Sequence, residues 1–573
     1  MAVTITFVKK TNMTDFSDDI EGEFTNDDAA WALTCAFLIL TMQTGFAMLE
    51  CGCVSTKNVT NIMIKNVVDV CVGGFGYWMF GYALSFGHPS NAFCGFGDFF
   101  FTVNDGSNLQ GSEYTRYFFQ FSFATTATTI VSGAVAERMK LSAYMLFSFF
   151  NIIIYSIPAS WVWNPTNDER EGGWLYQFRY FDFAGVSVVH VSGGVSALVA
   201  AIMLGPRLGR FEEADKFEMS SPVTSLTGMF LLWWAWLGFN CGSTFGVSGH
   251  LWKVTALVAV TTLNGGIGGG LSGLLLSMII YKGRVKIPFV IDSTLGGLVA
   301  ITGTASVTQP SDALVIGAFG GAIATLVHVL CYKLRIDDPV GAVAVHMGAG
   351  VWGTVAIGIF AKDNHIHQLR GLSSVMYGGD FGLLAVQLTG LLAICAWSAA
   401  TTALLFGVIS CCVGGLRVSE EDELLGADWV LHGIHNENLG KQLETSLNRL
   451  PTAQWRELMM KLSEEVASGT MQKGDMQHRI FSADASKNVN QQRNEAAIRA
   501  IEQRQQVPSK SLLSRCRQIG NNWLANFWKT DTSSETTRDT PISIQKRRLP
   551  QKNHGTNIMI INEAVSLPNV PLS

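Results

Sequence analysis

Asp182-Phe-Ala-Gly-Val-Ser-Val-Val-His190 and Asp338-Pro-Val-Gly-Ala-Val-Ala-Val-His346 each place a histidine eight residues after an aspartate, inside otherwise apolar sequence. The residues that follow also match. Val189-His190-Val-Ser-Gly-Gly194-Val195-Ser-Ala-Leu-Val199-Ala200 and Val345-His346-Met-Gly-Ala-Gly350-Val351-Trp-Gly-Thr-Val355-Ala356 agree at six of twelve positions. The chain therefore carries an internal duplication. An ionisable side chain within a membrane span is costly and marks a pathway or a site. Here two occur in equivalent places.

The spans themselves are read from hydropathy. Of 573 residues, 48% are hydrophobic, only 15% are charged and 58 are glycine. Runs of about twenty apolar residues match a hydrocarbon core about 30 Å thick. Eleven such runs lie near 30–50, 62–85, 117–136, 141–161, 183–204, 223–243, 252–280, 289–307, 312–332, 340–361 and 382–413. None keeps a period-2 alternation, which predicts helices and excludes a barrel. The fold class expected is an all-α polytopic membrane protein, with glycines at helix contacts. The cysteines, 11 in number, show no metal spacing and read as small apolar fillers.

Loops after odd-numbered spans carry twelve Lys and Arg against six after even-numbered spans. The positive-inside rule then puts residues 1–29 outside the cell and residues 414–573 in the cytoplasm. Residues 1–29 are polar and acidic, without the apolar core of a signal peptide, so the first span is expected to direct insertion. Asn12-Met-Thr14 is a glycosylation sequon on the outer side, whereas Asn58-Val-Thr60 faces the cytoplasm and is expected to stay unmodified.

With this orientation the fifth span runs inward and the tenth outward. Eight helical residues advance about 12 Å, so each histidine is expected near mid-depth, approached from opposite faces. Related helices of opposite direction predict an inverted repeat, spans 1–5 against 6–10, with the eleventh unpaired. Neutral imidazoles can pair with each other and still offer a donor or acceptor to a small molecule. Asp182, and Asp337-Asp338 before Pro339, read as helix starts, where a carboxylate bonds free N–H groups.

At these residues the chain resembles the ammonium transporter (Amt/Mep/Rh) superfamily, and more closely its Amt branch. The resemblance extends to Gly45-Phe-Ala-Met-Leu-Glu50, Lys57-Asn58, Lys65-Asn-Val-Val-Asp69, Gly133-Ala-Val-Ala-Glu-Arg138 and Gly238-Phe-Asn-Cys-Gly-Ser243. Leu416-Arg-Val-Ser-Glu-Glu421, with Gly426 and Asp428, resembles the start of the family's tail. The resemblance implies an eleven-helix protomer over residues 30–413, assembled as a homotrimer in the plasma membrane, with one pore per subunit. It implies that His190 and His346 are twin pore histidines and that Phe123 and Phe239 form a stacked gate. It further implies that Trp163 and Ser243 recruit ammonium at an outer vestibule, with Asp182 adding an attracting charge. The cargo implied is ammonium, deprotonated to ammonia on passage, with methylammonium as an analogue. Two positions depart from the family pattern. Gly341 stands where an acidic residue is common, and Met347 follows the second histidine in place of glycine.

The tail beyond Leu416 holds half of the 40 Lys and Arg residues. Order is expected near 414–435, and the rest, apart from helical spacing at 440–467 and 491–505, is expected to be largely disordered and open to cytoplasmic regulators. No enzymatic role, cofactor or nucleic-acid partner is expected. A sensor signalling through the tail is the alternative. A two-haem cytochrome needs four histidines on facing helices, and only His328 is a further candidate.

Overall fold

The computed structural model describes residues 24–165, 172–212, 217–362, 369 and 371–434. Asn12 and the stretches 440–467, 491–505 and 518–573 lie outside the described residues. Eleven long helices account for the apolar runs: α1 Asn26–Cys53, α2 Thr56–Phe86, α3 Gln110–Ala134, α4 Leu141–Trp163, α5 Val186–Leu204, α6 Pro222–Gly242, α7 Leu251–Ile280, α8 Ile287–Thr302, α9 Pro310–Lys333, α10 Val343–Phe360 and α11 Gly382–Cys412. Two short helices follow, α12 Glu420–Leu425 and α13 Ala427–His432. Beyond isolated bridges, no strand occurs among the described residues. The protein is an all-helical, multi-pass membrane protein.

Eight of these helices are long and apolar enough to cross a bilayer by themselves. Helix α3 is not among them, because it is rich in threonine and serine. Thr115, Thr126 and Thr128 each turn the hydroxyl back onto a carbonyl four residues earlier, so the helix satisfies its own polar groups. Its residues from Ser122 to Ala134 are buried among other helices, where that device is needed.

Small residues set how closely α7, α8 and α9 pack. A Cβ on Gly317 would fall 2.0 Å from the carbonyl oxygen of Gly265, and one on Gly269 would fall 2.3 Å from that of Ser293. Glycine therefore permits backbone-to-backbone contact where any side chain would separate the helices. Bulky apolar side chains such as Phe230, Leu271, Leu275 and Leu392 point outward, as the lipid-facing surface requires.

The start of the C-terminal segment docks against one face, called here the tail face. Lys140 N–H donates to Leu416 and Val418 N–H to Arg138. Asp428 accepts from the N–H groups of Thr60 and Asn61 at 2.9 and 2.7 Å, capping the first turn of α2. Lys57 Nζ donates to the carbonyls of Glu423 and Leu424, both at 2.8 Å. Asn58 is buried, donating to Glu137 at 2.8 Å and accepting from Ala427 N–H, so its amide is not free for modification. The sequence motifs around Lys57, Arg138 and Asp428 thus serve as clamps between loops and tail.

At the centre of this face Arg207 joins two loops. Its Nε and Nη2 bond both Asp337 oxygens at 2.8 and 3.0 Å, and its Nη1 pairs with Glu137. Burial alone would raise Asp337 and Glu137, but the Arg207 guanidinium outweighs it and holds both carboxyls below the usual carboxylate range. A depressed folded value gives stability that is present above the ordinary carboxylate range and lost as pH falls through the depressed value. Replacing Arg207 with alanine removes the main counter-charge of two buried carboxylates, leaving Asp337 with Arg210 at 3.3 Å, and is expected to cost about 3–5 kcal/mol. Thermal melting of the detergent-solubilised protein should show this loss at neutral pH, together with a weaker dependence on acid below about pH 4 than in the wild type.

Candidate functional site

Both histidines are positioned by the same local device. Asp182 Oδ1 accepts from the N–H groups of Gly185 and Val186, each at 2.8 Å, and Oδ2 accepts from Ser187 N–H at 2.8 Å and its hydroxyl at 2.6 Å. Asp338 does the same at the other helix, accepting from Gly341 N–H at 3.1 Å and Val343 N–H at 2.7 Å. Each carboxylate thereby satisfies the free donors of a helix start and complements its dipole. Three residues after each aspartate stands a glycine in the left-handed region, Gly185 with φ +94° and Gly341 with φ +76°. Side chains rarely adopt that conformation, and glycine adopts it freely.

The helices accordingly begin at Val186 and Val343, several residues after the aspartates. The interval from aspartate to histidine is therefore not eight helical residues, as the sequence spacing suggested. The capping turn consumes half of it, and each histidine sits in the opening turn of its helix. Those turns are π-helical over Val186–Val191 and Val343–Gly348, a wide form that often marks functional positions.

A second symmetric device brings the two helices together. Gly194, four residues after His190, faces the backbone next to His346, and a Cβ there would fall 2.3 Å from Met347 N. Gly350, four residues after His346, faces Val191, where a Cβ would meet Val191 Cγ2 at 2.9 Å. Each glycine seats the backbone just past the other helix's histidine. The outcome is a direct contact, Nδ1 of His190 to Nδ1 of His346 at 3.2 Å, with the rings stacked at 5.2 Å. Both side chains are buried, and His190 Nε2 has no hydrogen-bond partner among the described residues.

From this pair a continuous column of rings extends along the protein. His190 lies 5.6 Å from Phe239, Phe239 stacks on Phe123 at 4.0 Å and 12°, and Phe123 meets Trp163 edge-on at 6.0 Å. On the other side His346 lies 6.1 Å from Phe46. The structure thus brings together five of the expected residues, His190, His346, Phe123, Phe239 and Trp163. Trp163 holds its place by donating Nε1–H to the Asp182 carbonyl at 2.8 Å. Trp161, two residues away, packs instead against Phe93, Trp174 and Trp397. Ser243 lies just past the end of α6 and donates its hydroxyl to the Phe239 carbonyl at 2.9 Å. The Asp182 carboxylate is committed to the start of α5, so its link to the column runs through its carbonyl and Trp163.

Several neighbours were not anticipated. Trp236 stacks on His190 at 5.0 Å and 19°, while its Nε1–H donates to Thr302 at 2.8 Å. Trp236 lies one turn before Phe239 on α6, so helical spacing was an available signal. Toward the tail face, His346 lines a cavity with Phe46, Leu49, Glu50, Ile130 and Leu295. The absent acid at position 341 also has a structural counterpart. A Cβ on Gly341 would fall 2.5 Å from Asp292 Oδ1, so a carboxylate from α8 occupies the space next to it. Asp292 Oδ2 pairs with His328 Nδ1 at 2.6 Å, which ties His328 to α8 and not to a haem-like arrangement with the column. Charged residues inside apolar spans, such as Asp292 and Glu50, were the legible warning.

These features define a polytopic membrane protein with a buried aromatic and imidazole column at the contact of two capped helices. The chain belongs to the Ammonium Transporter Family, whose profile matches residues 30–437. It is 40% identical over 458 residues to Putative ammonium transporter 3 of Caenorhabditis elegans, covering 77% of this chain and 66% of that protein, just under two thirds of its length. With Ammonium transporter Amt2 of Archaeoglobus fulgidus it shares 36% identity over 423 residues, 71% of this chain and 87% of the relative. Among solved structures, Sensor Amt Protein is similar with a TM-score of 0.65 at 32% identity, covering 71% of this chain and 98% of that one. Saccharomyces cerevisiae Mep2 is similar with a TM-score of 0.61 at 25% identity, covering 70% and 90%.

The crossing glycines yield a test. Gly194→Val and Gly350→Val each overpack the contact and are expected to lower stability by about 1–3 kcal/mol. Because both act on one contact, the double variant is expected to lose less than the sum. Thermal melts of the four proteins measure this, and an additive double variant would refute the shared crossing.

Proposed function

We propose that the ring column is a transport path for ammonium, which is carried as ammonia between a vestibule at Trp163 and the tail face. The observation that carries the reading is the buried imidazole pair, bonded Nδ1 to Nδ1 at 3.2 Å while Nε2 of His190 has no partner among the described residues. With both rings neutral, this contact requires opposite tautomers. One ring donates from Nδ1 and accepts at Nε2, and the other accepts at Nδ1 and donates from Nε2. A small amine passing the pair meets one donor and one acceptor.

Selection follows from the stacked phenylalanines. Phe123 and Phe239 are both buried, and a bare cation between them has nothing to replace its water, at a cost of several kcal/mol. Ammonia is uncharged and avoids most of that cost. An alkali ion has no proton to lose and is turned away. At the vestibule Trp163 supplies an aromatic face, worth about 0.5–2 kcal/mol to a cation, and Ser243 a hydroxyl oxygen. Asp182 contributes its charge and fixes the Trp163 ring. In this reading the protein is a homotrimer in the plasma membrane, with the N-terminus outside and the tail in the cytoplasm, in line with the distribution of basic loop residues.

A second reading, a sensor of ammonium, is favoured by the docked segment at Leu416–Asp428 and by the likeness to Sensor Amt Protein. Deleting the residues after 434 separates the two, since a transporter still takes up methylammonium without them.

The column is tested with His190→Ala and His346→Ala. Each is expected either to lower methylammonium uptake at least about tenfold or to admit potassium, since one hydrogen-bonding group of about 1.4 kcal/mol or more is lost from the path. Uptake in a yeast without its own ammonium carriers, paired with potassium currents, measures both. Unchanged uptake and unchanged potassium exclusion in both variants overturn the assignment.

A further inference from the structure

The transport path leaves unused a group of ionisable side chains buried inside the membrane-spanning helices. Glu50, Lys65, Asp69 and Tyr144 are all buried, with Lys65, Asp69 and Tyr144 at 0% and Glu50 at 1% exposure. Such groups are costly in a membrane, and an aliphatic set of the same volume would pack without that cost.

Glu50 stands out because it belongs to two environments. One carboxylate oxygen accepts from the Ser132 hydroxyl, and the other accepts from Asn66 Nδ2 at 2.7 Å. Asn66 in turn accepts from Thr129 at 3.0 Å. A carboxylate offers about four acceptor positions, so these bonds orient Glu50 without using up its capacity. The same residue also lines the cavity that His346 faces, among Phe46, Leu49 and Leu295. Gly133 makes room for it, since a Cβ there would fall 3.1 Å from Glu50 Oε1 and 2.2 Å from Val340 Cγ2. Glu50 lies one turn before α1 ends at Cys53, on the tail-face side of the histidines.

The charged neighbours, Lys65 and Asp69, come from α2, and the neutral Tyr144 from α4. Asp69 accepts from the Tyr144 hydroxyl at 2.8 and 2.7 Å. Lys65 interacts electrostatically with both Glu50 and Asp69, and its Nζ lies 5.4 Å from the Tyr144 ring without a hydrogen-bond partner among the described residues. Glu50 is thus a buried carboxyl held rigidly by two donors, next to a counter-charge, with a face on the cavity below His346.

From this arrangement we propose that Glu50 is the proton acceptor on the tail-face side of the histidine pair, and gives transport an electrical component. The proposal rests on the transport reading above. At the vestibule an ammonium N–H bond breaks, its electron pair stays on the amine, and the proton passes through water to the imidazole pair while ammonia crosses Phe123 and Phe239. His346 then gives up that proton, keeping the N–H electron pair on its ring nitrogen. A water molecule in the cavity carries the proton to Glu50, whose carboxylate becomes a carboxylic acid until it releases the proton at the tail face. One positive charge crosses for each ammonia molecule. Lys65 and Asp69 hold the charge balance around Glu50 while it changes form.

The test compares charge with mass. Ammonium-evoked current and uptake of labelled methylammonium are measured in the same cells for the wild type, Glu50→Gln and Glu50→Asp. The amide oxygen keeps the bond from Asn66 Nδ2, its NH2 donates to Ser132 Oγ, whose own hydroxyl hydrogen turns to the Thr129 carbonyl at 2.7 Å, and it cannot take up a proton at neutral pH. The current per methylammonium taken up is expected to fall about tenfold or more in Glu50→Gln, in the range of a lost acid–base group, and to recover in Glu50→Asp. A ratio unchanged in Glu50→Gln, equal ratios in the two variants, or uptake without current in the wild type overturns the role of Glu50 and leaves the transport path standing. Absence of uptake in the wild type overturns the transport reading itself, and this proposal with it.

Discussion

Two imidazoles held at hydrogen-bond distance in the membrane interior impose the constraint on which the rest of the architecture depends. His190 and His346 come from helices far apart in sequence, and a contact of 3.2 Å tolerates little error in either. The structure meets this demand twice over. Each helix start is fixed by an aspartate and a left-handed glycine, and the crossing is fixed by a glycine four residues after each histidine. The two halves of the duplication supply each other's missing space.

The aromatic neighbours follow from the same constraint. A buried pair of polar rings needs apolar cover that keeps water from it. Trp236 and Phe239 cover His190, Phe123 stacks on Phe239, and Trp163 closes the far end while anchored to Asp182. Asp182 therefore acts at two places through different atoms, its carboxylate starting α5 and its carbonyl orienting the tryptophan. On the tail face, the ion network of Glu137, Arg207 and Asp337 sits one residue from Asp338, so the clamp that receives the C-terminal segment and the cap of α10 share a loop. Arg138, whose carbonyl accepts from Val418 N–H of that segment, donates Nη2–H to the carbonyl of Asp337 at 2.7 Å, one residue before the cap of α10.

How far the sequence could be read is seen at particular residues. The spans, the duplicated Asp–His spacing and the capping role of both aspartates were legible because hydropathy and helix-start chemistry are local. The pairing of the two histidines was inferred from symmetry. Their place in the first turn was not, because a left-handed glycine and a π turn shorten the helical interval without altering the spacing. The stacking of Trp236, the cavity face of Glu50 and the pairing of Asp292 with His328 were not read from the sequence for a common reason: each depends on a partner on another helix.

The sequence alone determined that this chain spans a membrane many times, that it is built from a duplicated unit, and that each unit starts a helix with an aspartate and carries a buried histidine. These follow from residue type and local order, which the bilayer and the free N–H groups of a helix end read directly. Only the tertiary structure decided which rings stack on the histidines, which carboxylate stands beside Gly341, and which buried acid shares a cavity with His346. Those relations depend on how closely helices approach, and that distance is set by small residues facing one another across the packed interior.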